Sequence, residues 1–298
     1  MKILAHHDAD GLVTAYFTQF KFGECEVIFP ERFGDVKKFS KGDIMVDMRP
    51  SSPDIEGLVI DHHLPHPENR KYELIQADYP ASLIAWEQFK DNIPKKHWWK
   101  LVIGLGGDGS LHYTPAEIFR LCPVLLKSVN TTSYYQYSKL RVNTIPVYKE
   151  LSSAINSFLR KSEFENATNL LRYAESPMDI VTSEDVKLAK EDIRKEFSRI
   201  VSTMETIDFD DLVVVLFESK YRMSGYVASA LSSAFGYKTM MAIDTKSGSL
   251  SLRGDLALYI KDKLKPLEYL DIDGHPGFMG GRLRKNPNIL ISDLVNLL

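Results

Sequence analysis

Two short polar stretches constrain this sequence most: HHDADG at residues 6–11 and DHH at residues 61–63. Each follows an apolar run typical of a buried strand, KILA in the first case and GLVI in the second. Aspartate and histidine side chains are costly to bury without partners. The fold must therefore bring them to a place where they bind one another or a common ligand.

The first part of the chain alternates short apolar runs with polar loops and helical patterns, which is typical of a mostly parallel sheet covered by helices. A highly charged stretch after residue 178 predicts a long exposed helix, and a second strand–helix–strand rhythm begins near residue 209. We therefore expect an α/β protein whose active site lies in the cleft between two lobes. Its parts would be a doubly wound parallel-sheet domain at 1–178 (helical over 128–178), a helical connector at 179–208 and a smaller α/β domain at 209–298.

Composition excludes several classes of protein. A chain with 44% hydrophobic and 26% charged residues is globular, and a net charge of −3 offers little attraction to a long polyanion, so we expect no stable long nucleic-acid partner. Cys25 and Cys122 are too few and too far apart for a disulfide framework or a thiolate zinc site. The sequence shows neither a signal peptide nor a membrane span, so we expect a cytoplasmic protein without a membrane partner. The oligomeric state is open, a dimer being one alternative.

The polar residues follow the predicted strands in a regular way, with His6 after KILA, Asp47 after DIMV and Asp61 at the end of LVID. In open parallel sheets, ligands collect at the carboxyl ends of strands, so these groups are expected to meet. His6, Asp8 and Asp10 are two residues apart, which in an extended segment would point all three to one side. Gly11 would permit a tight entry into the next helix, whose N-terminus favours an anion.

Converging carboxylates repel one another unless a cation lies between them, so this pattern predicts bound divalent metal. Carboxylate and imidazole ligands without thiolate favour Mn²⁺, with Mg²⁺ or Co²⁺ as alternatives. Simpler interpretations exist for single residues. Asp47 or Asp108 alone could be a turn residue, and His66 beside Pro67 is interpreted as a loop residue rather than a ligand. His7 is expected to lie beside the ligands.

Taken together, the motifs resemble those of the DHH phosphoesterase superfamily. In the family's order they are HxDxDG (His6, Asp8, Asp10, Gly11), an aspartate after a strand (Asp47), DHH (Asp61, His62, His63) and GDGS (Asp108). SLRG, with Arg253, and DGHPGFMGG, with Gly274 and His275, resemble the strand arginine and Gly-Gly-His motif of the DHH-associated domain of the first type, found in nanoRNase, pAp-phosphatase and RecJ-like members. The segment of about 128–208 adds nothing specific.

The resemblance implies a centre of two divalent metal ions. In it, His6 and Asp8 would hold one ion, Asp10, His62 and Asp108 the other, and Asp47 would bridge them. His63 would face the substrate phosphate and Asp61 would orient the neighbouring histidine. In the C-terminal domain, a phosphate or terminal nucleotide would be gripped by Arg253, Gly274 and His275.

The function expected from this resemblance is a manganese-dependent phosphoesterase that hydrolyses small nucleotides or very short oligonucleotides with a metal-activated water. Asp273, Phe278 and Met279 depart from the usual glycine and alanines of the C-terminal motif, which leaves the substrate open. Three alternatives remain. They are a RecJ-like exonuclease, for which the stripe SYYQYSKLR at 133–141 would bind single-stranded DNA, a cyclic dinucleotide phosphodiesterase, and a catalytically idle nucleotide-binding sensor.

Overall fold

The computed structural model divides into two compact units, Met1–Thr131 with Val142–Lys190 and Thr132–Arg141 with Glu191–Leu298. The predicted domain boundaries and the cleft between lobes stay predictions. The structure describes residues 1–30, 39–50, 52–63, 65–135, 139–232, 238–264, 267–275 and 277–297, and for 132–135, 139–143, 273, 275 and 297 it describes the backbone alone. Among the helices of these residues, none is long and apolar enough to cross a membrane.

The first unit is built on a five-stranded sheet in which every described pair of neighbours is parallel. The strands are β1 (Lys2–Ala5), β2 (Glu26–Ile28), β3 (Ile44–Val46), β4 (Leu58–Asp61) and β5 (Glu73–Gln76). Their order in the sheet is β2-β1-β3-β4-β5, so the direction of winding reverses between β1 and β3. This confirms the predicted doubly wound α/β class.

Successive side chains of these strands point to opposite faces of the sheet, and apolar residues pack on both faces. Ile3 and Ile44 lie in the large core with the helices, whereas Leu4 and Met45 pack in a small cluster on the other face. The helices of this unit are α1 (Ala9–Phe22), α2 (Ala81–Phe89), α3 (Leu101–Gly107), α4 (Ala116–Leu121), α5 (Val147–Arg160), α6 (Phe164–Tyr173) and α7 (Pro177–Val181), with α8 (Glu184–Thr203) continuing into the second unit.

The prediction of a helical segment from residue 128 is wrong at its start. Two strands, β6 (Ser128–Tyr135) and β7 (Lys139–Pro146), pair there in a separate sheet. The sequences SVNTTSYY and KLRVNTIP are rich in β-branched and aromatic residues, which favour strands. Helical structure begins only at α5, and the side chains of the 133–141 stripe lie outside the described residues.

The second unit has a six-stranded mixed sheet of order β12-β13-β11-β10-β9-β8, in which only β9 and β10 pair in parallel. One apolar cluster packs on each face of this sheet. The strands are β8 (Glu205–Phe209), β9 (Leu212–Phe217), β10 (Thr239–Asp244), β11 (Ser249–Arg253), β12 (Leu270–His275) and β13 (Phe278–Leu283), and the helices are α9 (Ser224–Ser232), α10 (Ala257–Leu264) and α11 (Pro287–Leu297).

A buried lysine stabilises the end of one helix in the first unit. The Lys100 side chain is fully buried, and its ammonium group donates to the carbonyl of Leu171 at 2.5 Å, in the last turn of α6, and to the Tyr16 hydroxyl at 3.0 Å. A cation near the last carbonyls of a helix complements the helix dipole. Burial, together with the positive charge of Lys96, nevertheless lowers the pKa of Lys100 to about 8.

This lysine predicts a specific dependence of stability on pH. In the unfolded chain a lysine titrates near 10.4, so between about pH 8 and 10 the unfolded state binds more protons and stability rises with pH. Relative to Lys100→Met, the wild type should therefore gain up to about 3 kcal/mol in unfolding free energy over that range. Denaturant unfolding at several pH values measures the difference. The exposed Lys90→Met serves as control, and parallel pH profiles for wild type and Lys100→Met would contradict the assignment.

Candidate metal centre

The HHDADG stretch forms the junction between β1 and α1. Asp8 is the extended N-cap residue of α1, and its carboxylate accepts a hydrogen bond from the Gly11 amide at 3.0 Å. Asp10 already belongs to the first helical turn. The prediction that His6, Asp8 and Asp10 share one side of an extended segment is therefore wrong for Asp10, because the Asp8 cap starts the helix first.

Gly11 has a different role from the predicted tight entry. A Cβ atom at this position would lie 2.3 Å from the carbonyl oxygen of His6, so only glycine lets the first helical turn pack on the end of β1. The junction is thereby held tightly enough to place His6 beside Asp8, with Nδ1 2.7 Å from Oδ2. The His7 ring lies against the His6 ring, with centroids 4.5 Å apart.

Asp47 follows β3 and has a positive φ of 56°. This left-handed conformation is costly for most residues but tolerated by aspartate. Its amide donates to the Ile60 carbonyl at 2.8 Å, which fixes the backbone on β4. Its carboxylate then faces two ways: Oδ2 lies 3.4 Å from His6 Nδ1, and Oδ1 lies 3.1 Å from His62 Nε2.

Asp10 is fully buried and connects two helices. Its carboxylate accepts hydrogen bonds from the amides of Ala81 at 2.8 Å and Ser82 at 3.1 Å, the first two residues of α2. Pro80, at the N-cap of α2, provides no side-chain cap, so Asp10 satisfies these amides from another helix. Asp10 Oδ2 also lies 4.0 Å from His62 Nε2.

Asp108 ends α3, and small residues on that helix bring it to the cluster. A Cβ atom on Gly104 would lie 2.3 Å from Ser82 Oγ, and one on Gly107 would lie 3.0 Å from the Cβ of Ala9. These glycines let α3 approach the starts of α1 and α2 closely. Asp108 Oδ2 consequently lies 3.4 Å from His62 Nε2.

The structure brings together all the residues predicted to bind metal. Within the described residues, three groups have ligand atoms within 4.8 Å of one another: His6, Asp8 and Asp47; Asp10, His62 and Asp108; and Asp47, His62 and His63. Asp47 belongs to two of these groups, the one with His6 and Asp8 and the one with His62 and His63. The role of each residue at the centre stays a prediction.

Two carboxylates of this cluster, those of Asp10 and Asp108, are destabilised in their charged form by burial and by neighbouring negative charges. Burial and the neighbouring charge of Asp47 together raise the pKa of Asp10 to about 7. Burial likewise raises the pKa of Asp108 well above its usual value, with Asp10 and Asp47 adding to the shift. The protein groups alone therefore leave an excess of negative charge in a buried place.

The imidazoles respond in the opposite direction. Burial lowers the pKa of His62, but the hydrogen bond to Asp47 and the negative charges of Asp47, Asp10 and Asp108 together outweigh burial and raise that pKa to about 10. Burial also opposes the charge on His6, yet Asp8 and Asp47 raise the pKa of His6 well above its usual value. Positive charge is thus strongly favoured at this centre. Buried oxygen and imidazole ligands without thiolate match the preferences of Mn²⁺, Mg²⁺ or Co²⁺, so this donor set fits divalent metal.

Sequence reasoning missed the role of His66. Its buried side chain places Nε2 3.1 Å from Asp61 Oδ2, while His63 Nδ1 lies 2.7 Å from Asp61 Oδ1. Burial would raise the pKa of Asp61, but its contacts with the imidazoles of His63 and His66 together lower it below its usual value. A histidine beside a proline carries no local signal for this contact, which depends on how the loop after β4 folds back.

The predicted substrate residues lie in the second unit. Arg253 donates to the carbonyls of Leu252 at 2.7 Å and Met279 at 2.8 Å, and its guanidinium lies 5.2 Å from the centre of the Phe278 ring, which is 61% exposed. Burial lowers the pKa of Arg253 to about 10, so this residue is not an ordinary exposed arginine.

Gly274 has a φ of 137°, and a Cβ there would lie 2.5 Å from the Phe278 carbonyl oxygen, so the β12–β13 pairing itself requires glycine. The side chains of His275 and Asp273 lie outside the described residues, whereas Met279 is buried. Substrate binding by Arg253, Gly274 and His275 stays a prediction.

No family model matches the sequence, and no curated protein does. Solved structures match over 99% of the chain. RecJ of Thermus thermophilus in complex with Mn²⁺ has a TM-score of 0.71 at 16% identity, with 51% of RecJ covered. This chain therefore spans about half the length of that RecJ chain.

Two further structures share this fold. A DHH domain described as a member of the s1p family of ribosomal proteins has a TM-score of 0.63 at 11% identity, with 86% of that chain covered. The pGpG-specific phosphodiesterase PggH of Vibrio cholerae has a TM-score of 0.52 at 15% identity, with 97% covered. The chain thus has the fold of DHH proteins, as the motifs predicted.

The geometry predicts that Mn²⁺ raises the Tm of metal-free protein, because an ion that binds only the folded state stabilises it, by about 2.7 kcal/mol at 100 times its Kd. Asp47→Asn should remove most of this shift, since it alters the carboxylate that two ligand groups share. Differential scanning calorimetry with and without Mn²⁺ measures both. Asp91→Asn, at an exposed aspartate, should behave as wild type, and an undiminished shift in Asp47→Asn would contradict the assignment.

Proposed function

We propose that this protein is a metal-dependent phosphoesterase that hydrolyses small nucleotides or very short oligonucleotides. The observation that carries the proposal is the set of three ligand groups, linked to one another through Asp47 and His62, beside the carboxyl ends of β1, β3 and β4, in a fold of the DHH type. RecJ and PggH, which share the fold, are described as an exonuclease and a phosphodiesterase. Both act on phosphoester bonds.

Each residue has a definite task in this proposal. His6 and Asp8 would hold one ion, Asp10, His62 and Asp108 would hold another, and Asp47 would contribute to both. When bound, a pair of divalent ions lowers the pKa of a water molecule and stabilises charge on the phosphate oxygens. Mn²⁺ is the proposed ion, with Mg²⁺ and Co²⁺ as alternatives, since RecJ structures hold Mn²⁺ or Mg²⁺.

His63 would contact the substrate phosphate. Its Nδ1 is engaged by Asp61 at 2.7 Å, so Nε2 is the ring nitrogen that would hydrogen-bond a phosphate oxygen or transfer a proton. The His63 side chain is partly exposed, in contrast to the buried side chains of Asp61 and His62. A substrate can therefore reach it without displacing the buried residues.

Exposed aromatic rings near the metal centre support a nucleotide substrate. Tyr113, which is 43% exposed, contacts the rings of Tyr79 and His112, at centroid distances of 6.1 and 4.3 Å. Tyr79 comes two residues before the Ala81 amide that binds Asp10, and His112 follows Asp108 by four residues. Such rings can stack on a nucleobase.

The aromatic group, Tyr79, His112 and Tyr113, is partly fixed in place. The Tyr79 hydroxyl donates to Glu87 of α2, and this bond, together with burial, raises the pKa of Tyr79 to about 12. A ring already held in one orientation loses little freedom when a base stacks on it. We propose this group as the contact for the base next to the scissile phosphate.

The proposed activity requires no long nucleic acid, no membrane and no particular oligomeric state. The proposed location of the protein is the cytoplasm.

The test of the activity is a substrate panel with Mn²⁺, Mg²⁺ or Co²⁺. We expect turnover of di- to tetranucleotides or a nucleoside bisphosphate, and little of long single-stranded DNA. Asp108→Asn should lower kcat at least ~100-fold because it removes a metal ligand, whereas Asp91→Asn should not. Preference for long single strands or for cyclic dinucleotides would replace the proposed substrate, and tight nucleotide binding without any turnover would indicate a sensor instead.

Base stacking gives a separate prediction. Tyr113→Ala should raise KM for a dinucleotide about 10-fold, since a stacked base contributes roughly 1–3 kcal/mol, while Tyr113→Phe should retain the wild-type KM. Steady-state kinetics with a dinucleotide and with an analogue that lacks the base next to the scissile bond separates stacking from other effects. The exposed Tyr173→Ala is the matched control. Equal losses on both substrates would argue against stacking.

A further inference from the structure

A chain of buried polar groups extends from the DHH motif away from the metal ligands. His63 Nδ1 lies 2.7 Å from Asp61 Oδ1, His66 Nε2 lies 3.1 Å from Asp61 Oδ2, and His66 Nδ1 lies 2.9 Å from the Tyr72 hydroxyl. The side chains of Asp61 and His66 are 0% and 2% exposed, and Tyr72 is 4% exposed. Three of these four polar side chains are buried, so they require matched donors and acceptors.

Only one arrangement of protons satisfies this chain when the histidines are neutral. The Asp61 carboxylate can only accept, so His63 must donate through Nδ1 and His66 through Nε2. His66 Nδ1 then carries the lone pair and accepts from the Tyr72 hydroxyl. Each group fixes the proton of the next, and His63 carries its lone pair on Nε2.

His66 Nε2 is the polar group that lies beside the second oxygen of Asp61, 3.1 Å from it. Among the described residues, neither of these two buried atoms has a hydrogen bond of standard geometry, so the close approach of the imidazole N–H is what offsets the charge on Asp61 Oδ2. Without His66, the Asp61 carboxylate would lose this neighbour and could rotate about its Cβ–Cγ bond. The orientation of the His63 ring would then no longer be fixed.

We propose that His66, supported by Tyr72, is a positioning residue that holds Asp61 and thereby fixes the tautomer and orientation of His63. The proposal rests on the proposed function, because His63 is taken as the residue that meets the substrate phosphate. His66 itself touches neither substrate nor metal in this scheme. Its effect reaches the reaction only through Asp61.

The kinetic test compares three variants of the full chain. His66→Leu, which keeps bulk but cannot donate, should lower kcat about 10- to 100-fold, the usual cost of losing a group that orients a metal-site histidine. KM and Mn²⁺ affinity should stay unchanged. His66→Gln, which can donate to Asp61, should recover part of kcat, and Tyr72→Phe should have a smaller effect than His66→Leu.

Other outcomes would overturn the proposal. If His66→Leu leaves kcat unchanged, or if His66→Gln is as impaired as His66→Leu, donation to Asp61 is not what matters. If Mn²⁺ affinity falls in parallel with kcat in a folded His66→Leu variant, His66 supports metal binding instead. Circular dichroism and Tm show whether each variant is folded. If His66→Leu does not fold, Tyr72→Phe still tests the proposal.

A spectroscopic readout separates this inference from the proposed function. In metal-free protein with ¹⁵N-labelled histidine, the Nδ1 proton of His63 should give a hydrogen-bonded resonance, assigned through His63→Gln. In His66→Leu this resonance should broaden or move, whereas in the control His97→Gln, at a histidine that contacts Tyr16 and no member of this polar chain, it should not. An unmoved resonance overturns the positioning role even if the enzyme is active, and a moved resonance supports it even if no phosphoester is hydrolysed.

Discussion

Repulsion among buried carboxylates is the constraint on which the rest of this structure depends. Asp8, Asp10, Asp47 and Asp108 converge on two imidazoles at one edge of a parallel sheet, and burial together with mutual repulsion raises the pKa of Asp10 and Asp108. Such a cluster persists only if other interactions hold each carboxylate in place or a cation neutralises it. The fold supplies the interactions that hold the carboxylates in place, and the set of carboxylate and imidazole ligands is suited to binding a cation.

The interactions that hold these carboxylates are mostly interactions with the backbone. Asp8 caps its own helix, Asp10 caps α2 from a distance, and the left-handed Asp47 is fixed through its amide to β4. Backbone donors at helix starts favour negative charge, so they reduce the cost of placing two of these residues. The same contacts join α1, α2 and the sheet, which couples the geometry of the centre to the core of the unit.

Much of this centre could be predicted from the sequence because it depends on local rules. Apolar runs that end in Asp or His locate strand ends, and parallel strands bring those ends together, as His6 and Asp47 show. What could not be predicted depends on distant contacts. The caps from Asp10 to α2, the glycines Gly104 and Gly107 that admit neighbouring helices, and the return of His66 to Asp61 leave no periodic signal in the sequence.

The residues of the DHH motif also make different contacts from one another. His62 faces the carboxylates of Asp10, Asp47 and Asp108, whereas Asp61 turns away and its two oxygens are taken by imidazoles. Successive side chains of an extended segment point to opposite sides, so one short sequence can serve both layers. The motif therefore sets His62, the imidazole proposed to bind metal, among the carboxylates and gives His63, the imidazole proposed to face the substrate, a partner in Asp61. His63 also has a ligand atom close to those of Asp47 and His62, so its contact with Asp61, rather than its distance from the centre, distinguishes the two histidines.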